Sequence, residues 1–512
     1  MQPIITFEDV SYSYPNEKTF ALKDISLSVE RQEFLVVMGE NGSGKTSLCR
    51  LINGIISHST GGRLLGRILI DGEDTKGASV AKLACKAGTV SDDPDAQLFT
   101  SSVFHETAFG LENLLMPPDE IKKRADYALE AVGLADFKER IPSTLSGGEK
   151  QRLVIAAALC MSCFSETGKI LVLDDPLSRL DPQGAAEIIS LLHDIRHKFQ
   201  LTVVMTTYSS NYPEFYLSQK TDTGNSKIKL ADRICILNKG KLAACNTAEN
   251  ILFDRSLLEQ NGIEPPIIPD IHYSFPALCK DLYSGEENPA VKINNLFYSY
   301  GTAFCLENFS LSIKDNDFIA IAGCNGSGKT TLLKIITGLL RPHSGEIFIR
   351  GRNINNLSVS EISKEAGFVM QNPDTQLFTD SVFNEAAFAL KNAGYSKIEI
   401  KKRAENAIAA VGLENPGAFP HALSRSDRTK TVLASVLAMG CKILIFDEID
   451  VGQDYRGSRK IMDIARNLHK EGYTIIFVTH NIALACEYAQ RFVMIDKKGI
   501  LMDKRIYYDN EK

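Results

Sequence analysis

The chain carries the same long message twice. "VVMGENGSGKTSL" (Val36–Leu48) returns as "AIAGCNGSGKTTL" (Ala320–Leu332), and "DPDAQLFTSSVFHETAFGL" (Asp93–Leu111) as "NPDTQLFTDSVFNEAAFAL" (Asn372–Leu390). "KILVLDDP" (Lys169–Pro176) returns as "KILIFDEI" (Lys442–Ile449). A period of about 284 residues, the separation of Lys45 and Lys329, is far longer than a solenoid repeat. Two homologous domains in tandem are therefore expected, within a length of 512 residues that a single core does not fill. The first copy is read as residues 1–245, and 246–290 as a helical tail and a Pro-containing linker. The second copy is read as residues 291–512. An insertion at Ser218–Lys229 is polar and reads as an exposed loop of the first copy.

Each copy sets apolar, β-branched runs such as "KILVL", "LTVVMTT" and "TIIFVT" between longer helical patterns. That alternation predicts an α/β core with largely parallel, buried strands. The net charge of −6 argues against a nucleic-acid surface. No run of 18 apolar residues occurs, and the first residues lack the pattern of a secretory leader, so no membrane span or signal peptide is expected. Eleven cysteines in so long a chain read as reduced, mostly buried thiols. The CxxC of Cys160 and Cys163 has no second pair or histidine cluster beside it.

Both copies contain GxxxxGK[ST] between an apolar strand and a helical segment, which is the context of a phosphate-binding loop. Glycines let backbone N–H groups curl around phosphates, and the helix N-terminus adds its positive end. The nucleotide-binding residues expected are Gly39, Asn41, Gly42, Ser43, Gly44, Lys45, Thr46 and Ser47 in the first copy. In the second they are Gly323, Asn325, Gly326, Ser327, Gly328, Lys329, Thr330 and Thr331. The lysines reach the outer phosphates, and the Thr46 and Thr330 hydroxyls ligate Mg²⁺. Downstream, an apolar strand ends in Asp174–Asp175 and in Asp447–Glu448, the first acid of each pair being a Mg²⁺ ligand.

With the phosphate loops, "LSGGEKQR" (Leu145–Arg152) and "LVLDD" placed in order, the chain resembles the ATP-binding cassette (ABC) ATPases over about four-fifths of its length. The loops "DDPDAQLF" and "QNPDTQLF" are similar to those of energy-coupling factor transporter ATPases, which energise import of vitamins and of transition-metal ions. The resemblance implies two cassettes, each with a mostly parallel sheet core, an antiparallel β subdomain and a helical subdomain. It implies two ATP molecules with Mg²⁺, each held between the phosphate loop of one cassette and the LSGGE of the other. It also implies membrane partners, a transmembrane coupling component and a substrate-binding membrane component, which place the chain at the cytoplasmic face of the membrane.

Carried over residue by residue, the resemblance gives one complete site. Lys329, Thr330, Asp447 and Gln371 hold ATP and Mg²⁺, Glu448 polarises water, His480 senses the γ-phosphate, and Ser146, Gly147 and Gly148 come from the first copy's signature. The other site keeps Lys45, Thr46 and Asp174 but has Asp175, Asp92 and Tyr208 where Glu, Gln and His are expected. It faces Ser424 and Arg425 of "LSRSD", in which Arg425 brings bulk and charge in place of glycine. All four departures fall on one site, which suggests a degenerate site that binds ATP and holds the dimer together, or one at which Asp175 hydrolyses only slowly. Tyr14 and Tyr300 occupy the position of the adenine-stacking aromatic, and Asp181 and Asp454 that of the loop crossing the cassette dimer. Gln97, Phe99, Gln376 and Phe378 lie in the loop expected to face the membrane subunit.

Overall fold

A computed structural model describes residues 2–162, 169–178, 180, 182–208, 219–220, 227–228, 231–266, 289–301, 303–496 and 499–506. The chain forms two compact units, Met1–His272 and Tyr273–Lys512.

The first unit begins with a four-stranded antiparallel sheet in the order β2-β1-β4-β5, from β1 (Ile5–Ser13), β2 (Leu22–Val29), β4 (Arg63–Ile70) and β5 (Glu73–Asp74). Its second sheet contains β3 (Phe34–Met38), β6 (Ala87–Val90), β7 (Ile170–Asp174), β8 (Thr202–Thr207), β11 (Arg233–Asn238) and β12 (Lys241–Thr247), in the order β12-β11-β3-β8-β7-β6. All neighbours are parallel except β11 and β12. Within the insertion, β9 (Gln219–Lys220) and β10 (Lys227–Ile228) pair as a short antiparallel ribbon. The rest of the insertion lies outside the described residues.

The second unit repeats this plan. One sheet is β14-β13-β16-β17, from β13 (Val291–Tyr300), β14 (Ala303–Ile313), β16 (Ser344–Ile349) and β17 (Arg352–Asn353). The other, β18-β19-β20-β15-β21-β22, is formed by β15 (Phe318–Ala322), β18 (Ala366–Val369), β19 (Ile443–Asp447), β20 (Thr474–Val478), β21 (Arg491–Asp496) and β22 (Gly499–Arg505). Strands β3, β7, β15 and β19 are buried at every residue, as parallel strands covered on both faces must be. The expected α/β core is thus observed in each unit.

Between the acid strand and the preceding edge strand, each unit inserts helices. In the first they are Val103–Asn113, Pro118–Ala131 and Gly147–Ser162, and in the second Val382–Asn392, Lys397–Ala410 and Arg425–Ala438. Their buried residues, among them Ala108, Ala125 and Leu129 in one copy and Ala386, Ala404 and Ile408 in the other, join the core beneath the parallel sheet. In the tail, the helices Ala248–Leu252 and Arg255–Gln260 bury Ile251, Leu252, Leu258 and then Ile263 in the first unit's core.

The reading of the cysteines is revised by the structure. Cys235 and Cys245 are paired as a disulfide, so the cysteines are not uniformly reduced thiols. They sit directly opposite each other in the β11–β12 register, a proximity that sequence spacing does not reveal. Cys49, Cys160 and Cys441 are buried and outside the disulfide, Cys324 is exposed, and Cys163 lies outside the described residues. Arg491 on β21 is a buried charge, 3% exposed. Its guanidinium binds Asp503 through Nε (2.8 Å) and Nη2 (2.6 Å) and donates from Nη1 to the Ser312 carbonyl at 2.7 Å. Arg233 repeats this with Glu33 and the Ser28 carbonyl. A buried charge whose partner is lost is costly, so Asp503→Ala is expected to destabilise the second unit by about 3 kcal/mol. A urea-unfolding midpoint unchanged by the substitution would show that Asp317, 3.4 Å from Arg491, suffices.

Candidate active site

The topology brings the chemistry to one edge. Strands β15, β20, β19 and β18 run parallel, so their C-terminal ends share an edge, where ligands of open α/β sheets bind. From β15 the chain enters the phosphate loop. After β20 comes His480, after β19 Glu448, and after β18 Gln371. The same order in the first unit delivers Lys45, Tyr208, Asp175 and Asp92 from β3, β8, β7 and β6.

In each phosphate loop the glycine before the lysine is in the left-handed region, Gly44 at φ 106° and Gly328 at φ 96°, and caps the helix that follows. Gly39 and Gly323 are required for a different reason: a Cβ would stand 2.4 Å from the Leu237 carbonyl oxygen and 2.3 Å from that of Ile495. The lysines fold back over the loops. Lys45 Nζ donates to the Gly39 and Glu40 carbonyls at 2.7 and 2.9 Å, and Lys329 Nζ to those of Gly323 and Cys324 at 2.8 and 3.1 Å.

Around the second loop the acids, the glutamine and the histidine converge. Thr330 Oγ1 donates to Asp447 Oδ1 at 3.1 Å, and Gln371 Nε2 donates to Glu448 Oε2 at 2.9 Å. The other Glu448 oxygen lies 3.1 Å from His480 Nε2 and 3.9 Å from Lys329 Nζ. Glu448 takes φ 46°, a left-handed turn rare for a side-chain-bearing residue and typical of functional positions. Its N–H is held by the Val478 carbonyl at 3.0 Å. Burial pushes the Asp447 carboxyl up to about 6, with the Glu448 charge adding to it and the Thr330 hydrogen bond opposing it.

The first loop has a different set. Asp175 has the same left-handed backbone, φ 49°, with its N–H held by the Thr206 carbonyl at 3.2 Å. Burial pushes its carboxyl up to about 7; Lys45 pulls it down, and Asp174 and Asp92 push it up. Asp174 is buried and accepts from Thr206 Oγ1 at 2.6 Å. Asp92 therefore adds negative charge beside the acid position, whereas Gln371 donates a hydrogen bond to its counterpart.

The ABC transporter family profile matches residues 22–178 and 306–450, and these segments hold both phosphate loops and both acid pairs. The chain belongs to the ABC transporter family. An ABC transporter ATP-binding protein of Methanosarcina mazei, provisionally so named, is 33% identical over 98% of this chain and 88% of its own length. One from Methanosarcina acetivorans, provisionally named in the same way, is 34% identical over 98% of this chain and 86% of its own length. Among solved structures, cbiO1 from Clostridium perfringens, described as part of the ABC transporter complex cbiONQ, is 32% identical, covering 43% of this chain and 89% of its own, with a TM-score of 0.41. The chain is an ATPase of two tandem ABC cassettes.

The residues present fit the Mg²⁺ typical of ABC ATPases. A buried carboxyl beside a threonine hydroxyl, Asp447 with Thr330, is a donor set that a small hard cation would stabilise. Among the described residues no cluster of three or more His, Cys, Asp or Glu could hold a metal alone. When bound, the ion would offset the negative charge of the phosphates. The chain holds Asp447 and Thr330 together and sets the Glu448 carboxylate against the Gln371 amide.

Other ABC positions are resolved less as expected. Gln97 and Gln376, both half-buried, bond the backbone of their own units. Gln376 accepts from the Met370 N–H at 2.8 Å and donates to the Phe368 carbonyl at 3.0 Å, and Gln97 accepts from the Ser91 N–H at 2.9 Å. They clamp the backbone leaving β18 and β6. The outward groups are Phe99 and Phe378, 66% and 61% exposed and edge-on to Phe109 and Phe388 at 4.8 and 4.5 Å. Glu106 and Glu385 were missed by sequence reading. Each is buried and accepts the N–H groups of the loop, Phe99 and Thr100 in one unit and Phe378 and Thr379 in the other. Their identity in both copies was the available signal.

Tyr14 donates to or accepts from Ser47 at 3.0 Å, while Tyr300 is exposed with its edge on Tyr298, ring centroids 5.0 Å apart. Asp454 caps the helix Tyr455–Lys470 by accepting from the Gly457 N–H at 2.7 Å; Asp181 lies outside the described residues. Ser146 and Ser424 each start a helix, accepting from Glu149 N and Asp427 N. Gly147 and Gly148 have no atom within 4 Å of where a Cβ would stand. Arg425 does not extend freely as bulk. It turns back into its own unit, where Nη2 donates to the Gln371 carbonyl at 3.1 Å.

Proposed function

We propose that the chain is the energy-coupling subunit of an importer of the energy-coupling factor type, which takes up a vitamin or a transition-metal ion. Its second phosphate loop, with Asp447, Glu448, Gln371, His480 and the first cassette's Ser146, Gly147 and Gly148, is the hydrolytic site. The first loop, with Asp175, Asp92 and Tyr208, is a degenerate site that binds ATP–Mg²⁺. Cassette 1 spans about 1–245 and cassette 2 about 291–512, joined by the tail and linker. The observation that carries this reading is the Gln371–Glu448–His480–Lys329 cluster, against the all-acidic Asp92, Asp174 and Asp175 set in the other unit.

The importer role is supported by the paired aromatics on equivalent loops. Phe99 with Phe109, and Phe378 with Phe388, offer apolar surface that a membrane partner could bury. Among the described residues no helix is long and apolar enough to cross a membrane, so such partners would supply the passage. The tagged chain is expected to float with membranes and co-purify with integral membrane proteins, and the Phe99→Ser/Phe378→Ser double variant to detach. Wild-type chain found with ribosomes or DNA instead would favour a soluble tandem ABC protein and sink the importer reading.

A further inference from the structure

Arg425, the residue that spoils the second signature, reaches into the hydrolytic cluster of its own cassette. Its guanidinium lies against the left-handed Gly452 turn, where a Cβ would stand 3.1 Å from Cζ and 3.2 Å from Nε. Its Nη2 holds the Gln371 carbonyl at 3.1 Å, and the Gln371 side chain in turn donates to Glu448 at 2.9 Å. One residue thus separates Arg425 from the water-polarising acid. The Gly452 turn is tied to the same helix a second time, because buried Gln453 donates to Thr429 Oγ1 at 3.2 Å.

The two cassettes share one tie between the signature helix and this loop but not the other. Arg428 binds both Asp374 carboxylate oxygens at 2.7 Å, and Lys150 binds Asp95 at 2.7 Å. The Arg425 tie has no counterpart, since Gly147 has no side chain. The space over Gly147 is open, so crowding within the first unit does not impose the glycine. The difference is an added contact in the cassette that carries glutamate at the base position.

We propose that Arg425 is a positioning residue for ATP hydrolysis, fixing the Gln371 backbone and the Gly452 turn so that the Gln371 amide orients Glu448. This rests on the reading that the second cassette holds the hydrolytic site. A charged donor on a carbonyl is worth about a tenfold rate when its acceptor carries a catalytic group.

The test is steady-state ATP turnover of the full chain as wild type, Arg425→Gly, Arg425→Lys and Glu448→Gln, with thermal melting of each. Arg425→Gly, which restores the glycine of a clean signature, is expected to lower kcat about tenfold with KM for ATP and Tm unchanged. Arg425→Lys still carries a donor and is expected to recover most of that loss. Turnover at or above wild type in Arg425→Gly would overturn the inference, and so would a loss that follows Tm or that lysine does not rescue. If Glu448→Gln is inactive while Arg425→Gly is not impaired, only this inference fails. If Glu448→Gln keeps full turnover, the reading of the hydrolytic site fails and this inference with it.

Discussion

Glu448→Gln is expected to lower ATP turnover by about 10²–10⁴-fold, the range for loss of a positioned base, while Asp175→Asn leaves most of the rate. The amide keeps the shape of the side chain and its contacts with Gln371 and His480, so a loss would report the missing carboxylate rather than a collapsed loop. Asp175 has the same left-handed backbone and the same support from the strand beside it, so geometry alone does not separate the two acids. Their surroundings do. Glu448 has an amide, an imidazole and an ammonium group about it with one acid, Asp447, beside it, whereas Asp175 has two acids, Asp174 and Asp92, which with burial outweigh Lys45 and raise its carboxyl. Single-turnover assays on both variants decide the matter. Equal losses would mean that both cassettes hydrolyse, and a larger loss in Asp175→Asn would reverse the assignment.

Gly323→Ala is expected to remove ATP binding from the second cassette, changing the stoichiometry of a fluorescent ATP analogue from two sites per chain to one. The added methyl would lie 2.3 Å from the Ile495 carbonyl oxygen and 2.7 Å from Ser327 Oγ, closer than such contacts occur. One neighbour is backbone of β21, so relief requires the loop to move. The Gly323 carbonyl is also the seat of Lys329 Nζ, and any shift displaces the cation meant for the outer phosphates. We expect at least about a 100-fold loss of affinity, as when a charge-bearing cradle loses its alignment. Gly39→Ala is the matching change at the first site, with the Leu237 carbonyl oxygen as the obstacle. It should abolish binding there while leaving the second site's affinity intact. Retention of two sites in Gly323→Ala would show that the loop has room the structure does not display.

The duplication, the phosphate loops and the acid pairs follow from the sequence by itself. They are local patterns: glycines at fixed spacing, acids at the end of an apolar strand, and a motif compared with its own copy. The α/β core was readable for the same reason, because parallel strands buried on both faces are written as continuous apolar runs such as "ILVLD" and "FIAIA". The tertiary structure alone decided which side chains meet. Gln371 and Glu448 are 77 residues apart, and Arg425 and Gln371 are 54 apart. No spacing rule predicts that a spoiled signature arginine turns inward or that Gln376 clamps β18. Nor does spacing show that Cys235 and Cys245 stand opposite each other in a hairpin register. Those outcomes depend on the order in which strands pack side by side, and on which long side chain finds a backbone carbonyl within reach once they do.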